Sequence, residues 1–523
     1  MLPDRPNTER KSMSRTSEPT RPSLVWFRDD LRLADHAALR AAMAHGQQVL
    51  PVYVLDEASA GKWGPGGASR WWLHHSLAAL EADLALRGAP LILRRGAAIE
   101  EIPRLAHAVG AATVHTSGAA LPWARRLDRA VASALQEDGV TLTRHRTTML
   151  FNPATLRTKA GGNYAVFTPF SRACFTHAPP PSPVSAPDRI ASVSLSSSTA
   201  PAASKPPASS KQIAATPQVS KGLASDRLEA WALLPKHPDW AADWRTAWTP
   251  GEAGAQLRLR EFLTDGLGGY AERRDIPGQE GTSKLSPHLA FGEISPAQIW
   301  HAATTALHAG SKGAERFLTE LLWREFSHHL LWNQPDLPEQ PLRPAFDGMP
   351  WRDDPAGLAA WQQGRTGIPI VDAGMRQLWQ TGWMHNRVRM IVASFLVKHL
   401  LVPWRAGAAW FWDTLVDADL ASNSAGWQWV AGSGADAAPY FRIFNPVLQG
   451  RKFDPDGAYV RHFVPELGQL DPRFIHAPWE APACVLGAAG VAFGHTYPAP
   501  IVDLAAGRTR ALAAFAALRD AVA

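Results

Sequence analysis

Hydrophobic and polar positions divide the chain into two parts with different patterns. In the first part, Ala/Leu-rich stretches with helical spacing, such as Trp71–Arg87, separate short apolar runs. The runs, each the length of a buried strand, are Leu24–Phe27, Val49–Leu55, Leu91–Leu93, Ala112–His115 and Val140–Leu142. Strands that alternate with helices form a parallel sheet, so residues 23–150 predict a Rossmann-like α/β domain. No G-x-G-x-x-G follows the first strand, and we infer no dinucleotide site there.

From Trp231 onward the strand pattern nearly disappears. Amphipathic stretches with Gly and Pro breaks predict helices over residues 252–265, 295–309, 313–332, 355–364, 372–382, 384–401, 407–415 and 502–522. Residues 231–523 therefore predict a second domain that is mostly helical.

Two segments lack the large apolar residues that a packed core requires. Residues 1–22 are polar and are predicted to form a disordered tail. Residues 151–230 are predicted to link the two domains. Their Pro-, Ser- and Ala-rich part, at about 178–221, cannot bury enough surface to offset its ordering entropy and is predicted to be disordered.

Composition limits the class of protein. The 523 residues, 46% of them hydrophobic, can bury the cores of two or three domains. A net charge of +6 permits a polyanionic partner without requiring one. The two cysteines, Cys174 and Cys484, cannot build a disulfide framework and indicate the cytoplasm. No stretch has the apolar length of a membrane span, and we expect no membrane contact.

Two stretches combine polar groups with helical spacing. Thr282, Ser283, Lys284, Leu285 and Ser286 supply hydroxyls, backbone amides and a cation before a helical run. They could hold a phosphate or diphosphate, or only begin a helix. Further along, helical spacing places Glu320, Trp323 and Arg324 on one face, where they contact a ligand or form a solvated ion pair.

Two later stretches have polar groups within apolar surroundings. Asn386, Arg389 and Met390 share a helical face, while His385 is expected to be structural. Asp417 and Asp419 must find partners, because an unpaired buried charge is costly, and Arg389 could neutralise Asp417. No further ligand at suitable spacing supports a metal site.

The ordered runs VWFRDDLRL, GTSKLSP, LLWREF, TGWMHNRVRM, DADLASNSAGWQW and PYFRIFNP resemble the photolyase/cryptochrome family. The resemblance covers roughly residues 23–495 and is closest to the class I cyclobutane pyrimidine dimer photolyases. It implies one FAD in the helical domain and light-dependent repair of UV-damaged DNA. A blue-light photoreceptor of the cryptochrome type, which binds FAD without repair, is the alternative.

The resemblance also implies roles for individual residues. Those expected at the FAD are Tyr270, Thr282, Ser283, Lys284, Leu285, Ser286, Arg324, Arg389, Asp417, Ala418, Asp419 and Asn423. A relay of tryptophans that reduces the flavin would use Trp427, Trp404 and Trp351. Those expected at the lesion or the DNA are Glu320, Trp323, Asn386, Arg387, Met390, Trp429, Arg442 and Gln449. Glu320 and Asn423 are expected to take part in catalysis.

Family members that repair (6-4) photoproducts carry histidines at the positions of Asn386 and Met390, so the resemblance favours cyclobutane dimers. Folate-using members carry an Asn–Glu pair in the segment that here reads His115–Arg125, where the carboxylate is missing. A second, antenna chromophore is thus left open between folate, deazaflavin and none. We expect a monomer with no obligate protein partner.

Overall fold

The computed structural model describes residues 21–44, 47–146, 148–193, 223–436 and 441–520. Within these ranges it contains a five-stranded parallel sheet with strand order β3-β2-β1-β4-β5. The strands are β1 (Ser23–Phe27), β2 (Val49–Leu55), β3 (Ile92–Arg95), β4 (Thr113–Ser117) and β5 (Thr141–His145). The prediction of a Rossmann-like α/β domain is confirmed.

Side chains of the sheet alternate between two apolar cores. Along β1, Val25 and Phe27 pack into one buried cluster, whereas Leu24 and Trp26 pack into another. Successive residues of a strand face opposite sides, so helices must cover both faces of this sheet. The helices of this part are α1 (Ala37–Ala42), α2 (Glu57–Ala60), α3 (Gly67–Leu86), α4 (Ala98–Val109) and α5 (Pro122–Glu137).

The second part is helical, as the sequence predicts. Its helices are α7 (Trp244–Ala247), α8 (Glu252–Glu261), α9 (Tyr270–Arg273), α10 (Ser286–Ala290), α11 (Pro296–His308), α12 (Ala314–Asn333), α13 (Pro355–Gln362), α14 (Pro369–Thr381), α15 (Asn386–Ser394), α16 (Trp404–Thr414), α17 (Leu420–Ala431), α18 (Pro446–Phe453), α19 (Ala458–Phe463), α20 (Ala483–Ala488) and α21 (Leu504–Asp520). Two π-helical turns, Phe262–Gly266 and Phe395–Leu400, follow α8 and α15.

The segment between the two parts is more ordered than its composition predicts. Helix α6 (Phe167–Thr176) buries Phe170 and Cys174 in the same core as α12. Residues 178–193, within the segment predicted to be disordered, follow a defined path because Ile190 is buried and its N–H donates to the Arg87 carbonyl at 2.9 Å. The rest of that segment, residues 194–221, and residues 1–20 of the predicted tail lie outside the described residues.

A buried polar network joins the sheet to the helical part. Glu293 accepts hydrogen bonds from Trp72 Nε1 of α3 at 2.9 Å and from the Gly251 N–H at 2.7 Å. Ser295, the N-cap of α11, donates to Asp35 Oδ2 at 2.5 Å. These bonds satisfy groups that would be costly to bury unpaired, so they fix how the two parts pack. In the described part of the chain, we find no helix with the length and hydropathy to cross a bilayer.

Candidate active site

The helical part contains a cavity of about 570 Å³ whose walls come mainly from α12, α15 and α17. Thirteen of the sequence-predicted site residues line it: Glu320, Trp323, Asn386, Arg387, Arg389, Met390, Asp417, Ala418, Asp419, Asn423, Trp427, Trp429 and Arg442. The structure thus gathers into one place residues predicted for two different roles.

Sequence reasoning missed two arginines at this cavity. Glu320 forms ion pairs with Arg274, which is nearly buried, and with Arg316 Nη2 at 3.2 Å. Arg316 precedes Glu320 by one helical turn, so i, i+4 spacing could have identified it. Arg274 lies on a distant segment, and no local pattern indicates it. Arg274 Nε also lies 3.7 Å from Asp275 Oδ1, so its positive charge is shared between two carboxylates.

Trp323 forms an aromatic wall with help from the segment between the two parts. Its ring stacks on Phe167 of α6 with centroids 3.6 Å apart and an interplanar angle of 6°. A stacked pair is stabilised beyond its buried area by about 0.5–1.5 kcal/mol. Residues predicted to be only a linker therefore support a cavity side chain.

The two predicted carboxylates have separate partners. Arg389 Nη2 lies 2.8 Å from Asp417 Oδ2, which confirms the predicted neutralisation. Asp419 Oδ2 lies 3.2 Å from His328 Nε2. Burial alone would raise the pKa of Asp419, but the charge and hydrogen bond of His328 outweigh it and hold this pKa well below its usual range.

Helix α17 carries Asn423, Trp427 and Trp429 and was not predicted. It begins where the side chain of Asp419 accepts the Ser422 N–H at 2.7 Å. Its small residues give no clear apolar stripe, so its capping residue is the only strong local signal. The Asn423 amide donates to the Ala408 carbonyl at 3.0 Å, which fixes this side chain at the cavity.

His385 has the structural role that the sequence predicts. As the N-cap of α15, its side chain accepts the Arg387 N–H at 3.2 Å. Its ring is 2% exposed, and burial lowers the pKa of His385 to about 4.

We expect unfolding to become easier as the pH falls from 7 to 5, because the unfolded chain protonates His385 near pH 6.5 and the folded chain only near pH 4. Since one pKa unit is about 1.4 kcal/mol, the loss should be about 1–2 kcal/mol. His385→Asn keeps a capping acceptor that does not titrate. Urea unfolding at both pH values should show a smaller loss for the variant, and equal losses would contradict the prediction.

The predicted phosphate cradle, Thr282–Ser286, does not line the large cavity. Lys284 has a left-handed backbone with φ of 50°. The Ser286 hydroxyl lies 3.4 Å from Trp383 Nε1, which donates to it. Trp383 also lies beside Arg389, whose guanidinium carbon is 5.9 Å from the ring centroid. The cradle is therefore connected to the cavity through Trp383.

Three other residues predicted for the FAD or the DNA lie apart from the large cavity. Tyr270 is buried against Phe317. Arg324 lines a second cavity, of about 190 Å³, at the carboxyl edge of the sheet, where ligands of parallel α/β folds bind. Asp419 lines both cavities. Gln449 lies in a surface groove beside α18.

The three predicted relay tryptophans share one core despite their distance in sequence. Trp427 and Trp404 are both buried in the same apolar cluster, and the half-buried Trp351 packs against it. Gly407 leaves room for the Trp427 ring, because a Cβ there would lie 2.1 Å from it. Trp427 also lines the cavity and Trp351 is the most exposed of the three, and their use as an electron relay stays a prediction.

The cavity fits a flavin ring, which is flat and apolar with polar edges. Phe411, Trp427 and Leu415 supply apolar walls. Asp417 Oδ1 is buried and, among the described residues, has no hydrogen-bond partner, so a polar ligand edge would satisfy it. The residues present therefore suit FAD.

Comparison with known proteins agrees with this geometry. The chain matches the family described as the FAD binding domain of DNA photolyase over residues 317–517, and the family described as DNA photolyase over residues 23–188. This chain belongs to the DNA photolyase family, and its helical part is an FAD-binding domain.

Individual relatives cover nearly the whole chain. A deoxyribodipyrimidine photo-lyase of Agrobacterium fabrum is 50% identical over 96% of this chain and 98% of its own length. Cryptochrome-1 of Arabidopsis thaliana is 36% identical over 93% of this chain and 69% of its own length. The crystal structure of a bacterial class III photolyase from Agrobacterium tumefaciens has a TM-score of 0.88 and 49% identity, covering 97% of this chain and 100% of that one.

Proposed function

We propose that this protein repairs cyclobutane pyrimidine dimers in DNA with light absorbed by reduced FAD. The observation that carries the proposal is a single cavity lined both by residues predicted for FAD, such as Asp417 and Asn423, and by residues predicted for the lesion, such as Glu320 and Met390. Electron transfer requires donor and acceptor to lie close together, and one shared cavity meets this requirement.

Photolyases are among the enzymes that act on a base extruded from the duplex. In this chain the rings of Trp323 and Trp429 would pack against the uncharged dimer. The Glu320 carboxylate would accept a hydrogen bond from a base N–H. Arg274 and Arg316 hold that carboxylate, and their guanidinium groups would stabilise the dimer radical anion.

The FAD would be held by Arg389, Asp417 and Asn423 on one side and by the Thr282–Ser286 segment at its diphosphate. When bound, reduced FAD supplies by photoexcitation the electron that opens both bonds between the pyrimidines, and it takes the electron back, so no net redox change occurs. The protein orients the dimer, excludes water and supplies the fixed charges.

The sequence resemblance placed the chain nearest to class I. We favour class III instead, because the class III photolyase of Agrobacterium tumefaciens is 49% identical over the whole of its length. The photoreceptor alternative is supported by the 36% identity to a plant cryptochrome. Against it, the five predicted lesion residues, Glu320, Trp323, Asn386, Met390 and Trp429, all line the cavity.

We further propose that the protein acts as a monomer in the cytoplasm. A single chain supplies every predicted residue of the cavity, which supports action as a monomer. Cys174 and Cys484 are free thiols, which supports a reducing compartment.

We expect the purified, reduced protein to remove dimers from UV-irradiated DNA under blue light and to leave them intact in darkness. Dimers can be counted by liquid chromatography and mass spectrometry after digestion of the DNA. Undamaged DNA of the same sequence serves as the control for binding. Binding of damaged DNA without any light-dependent loss of dimers would favour the photoreceptor.

A further inference from the structure

Residues 441–445 bring Arg442 to the large cavity. The guanidinium carbon of Arg442 lies 6.0 Å from the ring centroid of Trp429. The segment has no regular secondary structure before α18 begins at Pro446. Its position therefore depends on contacts with neighbouring elements rather than on its own backbone.

A buried lysine provides the first contact. Lys398 lies in the π-helical turn after α15 and is 1% exposed. Its Nζ donates to the Ala431 carbonyl at 2.7 Å and lies 3.0 Å from the centroid of the Phe441 ring. Ala431 ends α17, where carbonyls lack helical partners and the helix dipole is negative. One amine thus joins the end of α17 to the start of the 441–445 segment.

Two further contacts hold the same segment. Phe441 stacks on Phe515 of α21 with centroids 4.4 Å apart and an interplanar angle of 6°, so its ring lies between Phe515 and the Lys398 amine. The Phe444 N–H donates to Ser394 Oγ at 3.2 Å. The segment is therefore anchored on both sides of Arg442.

The identity of Lys398 requires an explanation beyond packing. Within the described ranges Lys398 pairs with no carboxylate, and burial holds the pKa of Lys398 well below its usual range. A buried amine is costly unless its hydrogen-bonding groups are satisfied, and methionine would fill similar space without that cost. Methionine could not donate a hydrogen bond to the Ala431 carbonyl while also contacting the Phe441 ring, as the lysine amine does.

We propose that Lys398 is a positioning residue for DNA binding: it fixes Phe441 and so holds Arg442 where it contacts the DNA backbone beside the extruded dimer. This inference rests on the proposed function, since it assumes that dimer-containing DNA enters this cavity. Lys398 acts only through the 441–445 segment and takes no part in the chemistry.

A double-mutant cycle tests the proposal. The Kd for a dimer-containing duplex is measured in darkness at several salt concentrations for wild type, Lys398→Met, Arg442→Ala and the double variant. Each single variant should bind the duplex about tenfold more weakly. The slope of log Kd against log salt concentration should fall in magnitude by about one. The double variant should bind no more weakly than Arg442→Ala, because both changes remove the same contact. For Lys398→Met, the repair rate at saturating DNA and the FAD absorbance should not change.

Three companion variants make the result specific. Phe441→Leu should reproduce the loss of affinity, and it carries the test if Lys398→Met does not fold. Phe441→Tyr keeps an aromatic ring and should bind like wild type. Lys159→Met changes an exposed lysine on a surface turn and should have no effect.

Several results would overturn the proposal. These are unchanged affinity in Lys398→Met, unchanged affinity in Arg442→Ala, or losses that add in the double variant. A slower repair rate of Lys398→Met at saturating DNA would indicate a general structural role for Lys398 and would also overturn the proposal. Failure of wild type itself to distinguish dimer-containing from undamaged DNA would instead reject the proposed function.

Discussion

Replacing Glu320 with alanine is expected to slow light-driven dimer loss by about tenfold or more, because a hydrogen bond to a charged group contributes about 1.5–3 kcal/mol. The carboxylate is held by Arg274 and Arg316 at the cavity wall, so its removal frees both cations from their present positions. The measurement is the initial rate of dimer loss under saturating DNA and fixed blue-light intensity. The FAD content should equal that of wild type, since Glu320 is predicted to contact the lesion rather than the FAD.

The matched control for this variant is Glu315→Ala. Glu315 lies on the same helix, α12, but is exposed and does not line the cavity. It should repair dimers at the wild-type rate. If Glu320→Ala also repairs at that rate, the carboxylate has no role in repair, and the cavity assignment loses its main catalytic group.

The sheet could be predicted from sequence almost residue by residue. The second strand has the predicted bounds, Val49–Leu55, and the others differ at their ends by a few residues. Strands buried on both faces need continuous apolar runs, and such runs are visible without any knowledge of tertiary contacts. The ends differ because a strand ends at its last residue that pairs with an adjacent strand. An apolar run in the sequence does not show where that pairing stops.

The helices were predicted less accurately than the strands. The predicted helix 384–401 is interrupted by the π-helical turn Phe395–Leu400, where Lys398 is buried. A periodicity argument assumes a constant 3.6 residues per turn and therefore cannot locate such a turn. Helix α17 was missed because its residues are small and its packing is decided by neighbours.

The cavity could not be predicted from the sequence without the fold. Because Asp417 and Asp419 carry charges in an apolar stretch, the sequence predicted that each needs a partner. This reasoning identified Arg389 as the partner of Asp417. Arg274 and His328 were not found, because their contacts join segments that are distant in sequence. The roles of these residues came from family resemblance, which no local pattern could replace.

Trp427→Phe is expected to slow the light-driven reduction of oxidised FAD by at least about tenfold, since a phenyl ring is much harder to oxidise than an indole and each 1.4 kcal/mol of barrier costs a factor of about ten. Trp427 lines the cavity and is buried in the same cluster as Trp404. The rate is followed by loss of flavin absorbance under blue light with an external reductant. Protein reduced chemically beforehand should repair dimers at the wild-type rate.

Trp300→Phe is the matched control, because Trp300 is also buried but belongs to a different core cluster. It makes the same chemical change and should leave photoreduction intact. If Trp427→Phe photoreduces as fast as this control, electrons reach the flavin by a route that avoids Trp427. If it instead repairs slowly even after chemical reduction, Trp427 contributes to the cavity's shape, because the ring also packs on Phe411 at 5.1 Å between centroids. The two measurements together therefore separate electron supply from repair.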